Sequence, residues 1–179
     1  MKRVKLWDKE FEVSYPNEQI VAAVKEMAVK MREDLEGKEA IFLCVLNGCF
    51  MFAADLLKEV ELTDAEVSFV KLASYEGTQT TENIKQLIGL KEDLKDRTVV
   101  IVEDIVDSGF TIANLIDQVT ERGAADIRVA TLLFKPKALK KDVTVDYVGL
   151  EIPNDFIVGY GLDYDGRGRN LKDIYTLVP

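Results

Sequence analysis

The sequence predicts an α/β fold: an open, mostly parallel twisted sheet flanked by helices. Two continuous apolar runs, residues 40–46 and 99–102, have the pattern of strands buried on both faces. Segments with a helical spacing of apolar residues alternate with such runs along the chain. Strands that alternate with helices are typical of βαβ units, so we expect most of the sheet to be parallel.

The clearest helix is predicted over Asn17–Leu35. Pro16 precedes it and Gly37 follows it, as expected for the start and the end of a helix. Five apolar residues recur on one of its faces: Ile20, Val24, Met27, Ala28 and Met31. A second helix is predicted over Phe50–Val60, shortly after the first buried run ends. Its inward residues are expected to be Phe50, Ala53, Ala54 and Leu57.

The alternation continues in the second half of the chain. Residues 67–72 form a further predicted strand, and the polar segment that follows, residues 74–83, lacks apolar periodicity. Residues 111–120 are predicted to be helical, with apolar side chains on one face and Gly123 at the C-terminal cap. Three more strands are expected, at residues 127–134, 143–150 and 156–158.

Length and composition predict one soluble domain over residues 1–179, located in the cytoplasm. The chain has no long Pro/Gly/Ser linker and no internal repeat. No window has the roughly 18 continuous apolar residues of a membrane span, and charges interrupt the N-terminal segment before a signal peptide could develop. We therefore expect no membrane partner.

Charge and residue types exclude several kinds of chemistry. A net charge of −9, from 23 basic and 32 acidic residues, argues against a nucleic-acid partner. Histidine is absent, which rules out Ser-His-Asp and Cys-His catalysis and histidine-based metal ligation. The two cysteines, Cys44 and Cys49, are too few for a disulfide framework or a zinc site. Acid-base or metal chemistry must then use carboxylate, lysine, tyrosine or backbone groups.

Three loops follow predicted strands: residues 47–48, residues 103–111 and the loop that begins at Lys135. Open α/β sheets bind their ligands outside the carboxyl ends of the strands. We therefore expect these loops to converge on one crevice.

The longest of these loops combines two carboxylates with a phosphate-binding pattern. Glu103 and Asp104 are expected at the exposed end of the strand over residues 99–102. Residues 107–111 then open a helix, where unpaired amides, a glycine and two hydroxyl groups can hold a phosphate. An ordinary capped helix start would explain one of these residues but not the whole run. The patterns of a P-loop and of a dinucleotide fingerprint are both absent.

The string VVIVEDIVDSGFT, residues 99–111, resembles the phosphoribosyl-pyrophosphate motif of the type I phosphoribosyltransferases. The resemblance extends over about residues 40–175 and is closest to the hypoxanthine-guanine branch of that family. It implies a fold in which a small hood accompanies the sheet. It also implies purine salvage, in which hypoxanthine or guanine displaces pyrophosphate from phosphoribosyl pyrophosphate and gives IMP or GMP.

The resemblance implies roles for the residues of this motif. Glu103 and Asp104 would hold the ribose hydroxyls and one Mg²⁺ ion, and Asp107 would be the general base near the purine N7. The 5′-phosphate would be bound by Ser108, Gly109, Phe110 and Thr111. Some relatives carry lysine in place of Phe110, so phosphate binding here must rest on amides and hydroxyl groups.

A pyrophosphate-binding side of the site is also implied by the resemblance. Asn47 and Gly48 match a pyrophosphate loop, Arg169 matches a further pyrophosphate contact, and Asp163 matches a second metal site. Some family members carry lysine where this chain has Asn47. Arg169, a metal ion or the backbone must then neutralise more of the pyrophosphate charge.

The remaining matches concern the base and a covering loop. Lys135 would donate to the purine 6-oxo group, Phe156 would stack on the base, and Ile157 would offer backbone contacts. Ser74 and Tyr75 match the start of a mobile loop, which would shield an oxocarbenium-like state from water. Glu82 stands in that segment where the family often has glycine.

Two other functions stay open on sequence alone. An enzyme of the same fold could prefer xanthine, because Lys135 cannot distinguish bases that share the 6-oxo group. A regulator that keeps the phosphoribosyl-pyrophosphate site and binds RNA or DNA should show a basic face, and the net charge of −9 speaks against it. The family usually assembles into dimers or tetramers, so a homodimer or homotetramer is expected.

Overall fold

A computed structural model of the chain describes residues 2–74 and 85–179. The strands in these ranges are β1 (Arg3–Leu6), β2 (Lys9–Tyr15), β3 (Ala40–Leu46), β4 (Glu66–Ser74), β5 (Lys85–Ile88), β6 (Thr98–Val106), β7 (Asp126–Phe134), β8 (Tyr147–Glu151), β9 (Ile157–Val158) and β10 (Ile174–Leu177). The helices are α1 (Asn17–Leu35), α2 (Phe50–Val60) and α3 (Phe110–Glu121), with a 3₁₀ turn at Pro136–Ala138.

The main sheet contains six of these strands in the order β5-β4-β3-β6-β7-β8. Strands β4, β3, β6, β7 and β8 run parallel, and β5 pairs with β4 in the antiparallel direction. The predicted open, mostly parallel sheet is confirmed. Because β3, β6 and β7 are neighbours, the loops that follow them leave the same edge of the sheet.

Helices cover both faces of this sheet, and successive residues of β3 point to opposite sides. Phe42 and Cys44 pack in the cluster that includes the buried faces of α1 and α2. Ile41 and Leu43 pack in the cluster that includes the buried face of α3. β3 is therefore apolar throughout, as expected for a parallel strand covered on both sides.

A second, antiparallel sheet is built from both ends of the chain, in the order β1-β2-β10-β9. Its own core consists of Phe11, Val158 and Tyr175, which are all buried. This sheet is the small hood that the resemblance implied. Strands β1, β2, β5 and β10 have no counterpart among the strands predicted from the sequence.

The predicted inward face of α2 is wrong in part. Ala53 is buried as expected, but Phe50 is 40% exposed and Ala54 is exposed. The residues that face the core are Phe52, Ala53, Leu56 and Val60. Apolar residues lie on most sides of α2. Its packing against α1 and the sheet therefore decides which side is buried, and the spacing of apolar residues within α2 does not.

The strand expected over residues 143–150 is also shorter than predicted. Only Tyr147–Glu151 forms β8, while Val143 and Val145 pack as loop residues beside the α3 cluster. Among the helices of residues 2–74 and 85–179, none is long and apolar enough to cross a membrane.

Candidate active site

The loop after β3 and the end of β6 touch at Gly48 and Asp104. A Cβ atom placed on Gly48 would lie 1.6 Å from Oδ2 of Asp104, so glycine is the residue that fits here. The peptide bond between Leu46 and Asn47 is cis, and the Asn47 side chain is exposed. Two of the three predicted loops therefore meet in direct contact.

The prediction that the acidic pair lies at an exposed strand end is wrong for Glu103. Glu103 is not at an exposed strand end: it is 7% exposed and lies inside β6, which runs on to Val106. The reason is that β7 stays paired with β6 as far as Val106. Burial raises the pKa of the Asp104 carboxyl, whereas hydrogen bonding with Glu103 and the charge of Arg169 lower it.

The predicted phosphate loop ends in the first turn of α3. Gly109 has φ +82° and precedes the helix, which begins at Phe110. Among the described residues, no side chain caps this helix start, so its first amides face the loop. The carbonyl oxygen of Ser108 accepts hydrogen bonds from the amides of Lys140 (3.0 Å) and Lys141 (3.3 Å), which brace the loop from behind.

Phe110 does not pack into the core. Its side chain is 54% exposed, and the ammonium group of Lys141 lies 4.9 Å from the centre of its ring. Lys141 carries no signal for this contact in the sequence, since it is more than 25 residues from the loop. Thr111 and Ser108 are partly exposed at the same helix start.

Lys135 follows β7 and reaches the predicted general base. Its side chain is 8% exposed, and its ammonium group lies 3.3 Å from Oδ2 of Asp107, whose own side chain is 50% exposed. The same ammonium group donates to the carbonyl oxygen of Asp155 at 2.9 Å. The loop that begins at Lys135 thus contacts the loop of residues 103–111, and Lys135 also contacts the residue before Phe156.

Phe156 belongs to a cluster of aromatic side chains on the hood. Its ring centre lies 6.1 Å from that of Phe11 and 5.8 Å from that of Tyr164, the latter edge to face. The ammonium group of Lys9 lies 5.7 Å from the Phe156 ring and 5.0 Å from the Tyr164 ring. Phe156 itself is 46% exposed, so these contacts leave part of the ring accessible.

Ile157, next to Phe156, is the first residue of β9 and is buried. The sequence near Lys9 and Tyr164 gives no signal for this contact, because the contact depends on the pairing of β2 with β10 and of β10 with β9.

Asp163 and Arg169 form an ion pair on the other side of the site. Nη2 of Arg169 lies 2.7 Å from Oδ1 of Asp163, and Nη1 donates to the carbonyl oxygen of Gly161 at 2.7 Å. The amide of Gly166 donates to Oδ2 of Asp163 at 2.7 Å. Both carboxylate oxygens of Asp163 are thus held by the surrounding loop.

Gly161 connects this side to the pyrophosphate loop. Its φ is +101°, and a Cβ atom placed on it would lie 1.9 Å from the carbonyl oxygen of Gly48. Gly161 is not among the site residues predicted from the sequence, although two glycines around a tyrosine, at residues 159–161, are a signal for it.

The predicted mobile loop is described only at its first residue. Ser74 is the last residue of β4, and Tyr75 lies outside the described residues. The roles of both stay predictions.

The carboxylates of the site suit a magnesium ion that is shared with a substrate. Asp104 and Asp163 supply hard oxygen donors, and residues 2–74 and 85–179 contain no group of three or more side chains able to hold a metal ion by themselves. Mg²⁺ is commonly held by one or two carboxylates together with water and substrate phosphates. The donor set fits that kind of binding.

Comparison with protein-family models identifies a match over residues 14–165 to the phosphoribosyl transferase domain. Among curated proteins, the hypoxanthine-guanine phosphoribosyltransferase of Streptococcus thermophilus strain CNRZ 1066 is 37% identical over 166 residues, which cover 92% of each chain. The protein of the same name from Streptococcus pneumoniae strain R6 is 40% identical over 164 residues, which cover 90% of this chain and 89% of that one.

Solved structures agree with these matches. A hypoxanthine phosphoribosyltransferase from Staphylococcus aureus has a TM-score of 0.86 and 34% sequence identity, with coverage of 94% of this chain and 91% of that chain. A hypoxanthine-guanine phosphoribosyltransferase from Bacillus anthracis has a TM-score of 0.83 and 36% identity, with coverage of 93% and 98%.

Proposed function

The chain belongs to the phosphoribosyltransferase family, and from this premise we propose that it transfers the phosphoribosyl group of phosphoribosyl pyrophosphate to hypoxanthine or guanine. The products are IMP or GMP and pyrophosphate, which makes the reaction a step of purine salvage. The observation that carries the proposal is the identity of 37% to 40% with enzymes of that name over about nine-tenths of the chain.

In this proposal Asp107 accepts the proton that the purine loses when its ring nitrogen attacks the ribose. A carboxylate can do this because the developing positive charge on the base raises the acidity of its N–H. The neighbouring ammonium group of Lys135, at 3.3 Å, donates to the 6-oxo group of the base. Phe156 stacks on the base with its exposed face, and the backbone of Ile157 completes the contact.

The phosphoribosyl donor binds along the end of β6 and the start of α3. The amides and hydroxyl groups of Ser108, Gly109, Phe110 and Thr111 hold the 5′-phosphate at a helix N-terminus, where partial positive charge favours an anion. Glu103 and Asp104 bind the ribose hydroxyl groups. The contact of Gly48 with Asp104 supports a pyrophosphate loop that lies next to the ribose in this proposal.

The leaving pyrophosphate is bound by the backbone at Asn47 and Gly48 and by Arg169. In our proposal Glu103 and Asp104 would hold one Mg²⁺ ion, and Asp163 would hold a second. Bound Mg²⁺ would share the negative charge that develops on the leaving group. Arg169 already holds Asp163 at 2.7 Å, so the guanidinium group can orient that carboxylate as well as contact pyrophosphate.

Assembly and location are further parts of the proposal. Large apolar side chains are exposed on α2 and on β4, at Phe50, Val67 and Phe69, which supports a homodimer or homotetramer. Sedimentation equilibrium would measure the mass. The cytoplasm remains the expected location.

The decisive test is an assay with Mg²⁺ and phosphoribosyl pyrophosphate against hypoxanthine, guanine, xanthine and adenine. We expect nucleotide formation with hypoxanthine or guanine and none with adenine, because Lys135 can donate to a 6-oxo group and not to a 6-amino group. If the enzyme preferred xanthine, the proposed substrate would be wrong. If none of the bases gave a product, the enzymatic function would be refuted.

A further inference from the structure

Tyr160 lies in a loop whose backbone is left-handed at three successive residues. Gly159, Tyr160 and Gly161 have φ values of +98°, +48° and +101°. Glycine adopts such values readily, but a residue with a Cβ atom does so only where its surroundings hold it. The amides of all three residues donate backbone hydrogen bonds that hold the loop, and the side chain of Tyr160 adds a further restraint.

The Tyr160 side chain reaches from this loop to helix α2. The residue is 1% exposed, and its hydroxyl group donates a hydrogen bond to Oδ2 of Asp55. The other carboxylate oxygen of Asp55 lies 2.8 Å from the ammonium group of Lys58. Burial and the nearby carboxylate raise the pKa of Tyr160, so it remains a protonated donor at all physiological pH values.

This hydrogen bond connects the two parts of the proposed pyrophosphate site, which are the segment that follows β3 and the loop that contains Tyr160. Asp55 is on α2, whose N-terminus follows Gly48 by two residues. Gly161, next to Tyr160, packs against the carbonyl oxygen of Gly48 and accepts a hydrogen bond from Arg169. A shift of the Tyr160 loop would therefore move Gly161 away from Gly48 and carry Arg169 with it.

We propose that Tyr160 and Asp55 are positioning residues for pyrophosphate: their hydrogen bond holds the loop of residues 159–163 against the Gly48 loop. The proposed function assigns neither side chain a contact with a substrate. This inference rests on the proposed function, since it assigns these residues to the pyrophosphate side of that site. It predicts that loss of the bond affects phosphoribosyl pyrophosphate and pyrophosphate, and not the purine.

The test compares Tyr160→Phe with Tyr147→Phe. Tyr147 is an equally buried tyrosine whose hydroxyl donates to Asp34 at 3.0 Å, at the start of β8 and away from the site. We expect Tyr160→Phe to raise the KM for phosphoribosyl pyrophosphate roughly five- to tenfold, with the purine KM within about twofold of wild type. Tyr147→Phe should leave both values unchanged. Equal changes in both KM values, or none, would overturn the inference.

Variants of Asp55 give an independent test if Tyr160→Phe fails to fold. Asp55→Asn keeps an oxygen that can accept the tyrosine hydrogen, so it should retain a KM near that of wild type. Asp55→Ala should raise the KM for phosphoribosyl pyrophosphate as Tyr160→Phe does. If Asp55→Ala and Asp55→Asn behave alike, the hydrogen bond has no positioning role.

Calorimetric titration with pyrophosphate and Mg²⁺ separates this inference from the proposed function. If the wild-type chain forms no nucleotide with any purine, the proposed function fails. The positioning inference then stands or falls on whether pyrophosphate binds wild type and Asp55→Asn more tightly than Tyr160→Phe and Asp55→Ala. Equal affinity in all four proteins would overturn it.

Discussion

The ammonium group of Lys135 lies 3.3 Å from the carboxylate of Asp107, although the two residues are 28 positions apart in the sequence. They follow the neighbouring parallel strands β7 and β6, whose pairing places both residues at the same edge of the sheet. The proposed donor to the purine 6-oxo group and the proposed general base are therefore one connected unit. Substitution of Asp107 should mainly slow the chemical step, whereas substitution of Lys135 should mainly weaken binding of the purine.

Asp107→Asn should lower kcat on the order of a hundredfold or more, because the amide has the shape of the carboxylate but cannot accept a proton at neutral pH. The KM for phosphoribosyl pyrophosphate should change little. Steady-state kinetics with both substrates varied would measure the two effects. Asp117→Asn, an exposed position on α3, is the matched control. Equal losses in kcat and in affinity for phosphoribosyl pyrophosphate would contradict a general-base role.

Lys135→Gln should raise the KM for hypoxanthine and guanine on the order of tenfold or more, since hydrogen bonds to charged donors contribute about 1.5–3 kcal/mol each. The KM for phosphoribosyl pyrophosphate should stay within about twofold of wild type. Lys137→Gln is the control, because Lys137 lies in the same segment but is exposed. If Lys137→Gln had the same effect, the segment as a whole would be responsible and Lys135 would have no specific role.

Gly48→Ala tests the contact between the pyrophosphate loop and β6. The added Cβ atom would lie 1.6 Å from Oδ2 of Asp104, so one of the two segments has to move. We expect on the order of a hundredfold loss in kcat/KM for phosphoribosyl pyrophosphate, since small misplacements of a substrate site have effects of that size. At Gly37 a Cβ atom meets nothing within 4 Å but φ is +73°, so Gly37→Ala should lower the stability of the fold while it keeps wild-type kinetics. Normal kinetics for Gly48→Ala would show that the contact is not required.

Much of the main sheet could be predicted because its signals are local. The bounds of β3, α1 and α2 follow from continuous or periodic apolar residues within a single segment. The convergence of the loops after β3, β6 and β7 then follows from the rule for parallel sheets. The contacts of Gly48 with Asp104 and of Lys135 with Asp107 agree with that expectation.

The hood and its contacts could not be predicted in this way. Phe11 and Phe156 are neighbours only because β2 and β9 both flank β10, a pairing between distant parts of the chain. The burial of Glu103 could not be predicted for a related reason. Its burial depends on how far β7 accompanies β6, and no feature of the residues near Glu103 encodes that length.

Asp173 connects the hood to the start of α1, and its ionisation should make stability depend on pH. Its carboxylate accepts from the ammonium group of Lys2 at 2.8 Å and from the amide of Asn17 at 2.9 Å. The hydrogen bond from Lys2 has the largest effect on the pKa of Asp173. Together with the hydrogen bond from the Asn17 amide it lowers this pKa below its ordinary value of 3.8, although burial opposes the shift.

Because the folded-state pKa is the lower one, the ionised carboxylate stabilises the fold above about pH 4, and this contribution is lost as the pH falls through the folded-state pKa. Asp173→Asn should thus lower the free energy of unfolding by about 1 kcal/mol at pH 7, the size expected for a carboxylate at a helix N-terminus. Urea unfolding at pH 7 and at pH 3 would measure this difference, which should shrink at the lower pH. Asp165→Asn, an exposed residue, serves as the control. A difference of the same size at both pH values would mean that side-chain packing, and not the charge of Asp173, stabilises this junction.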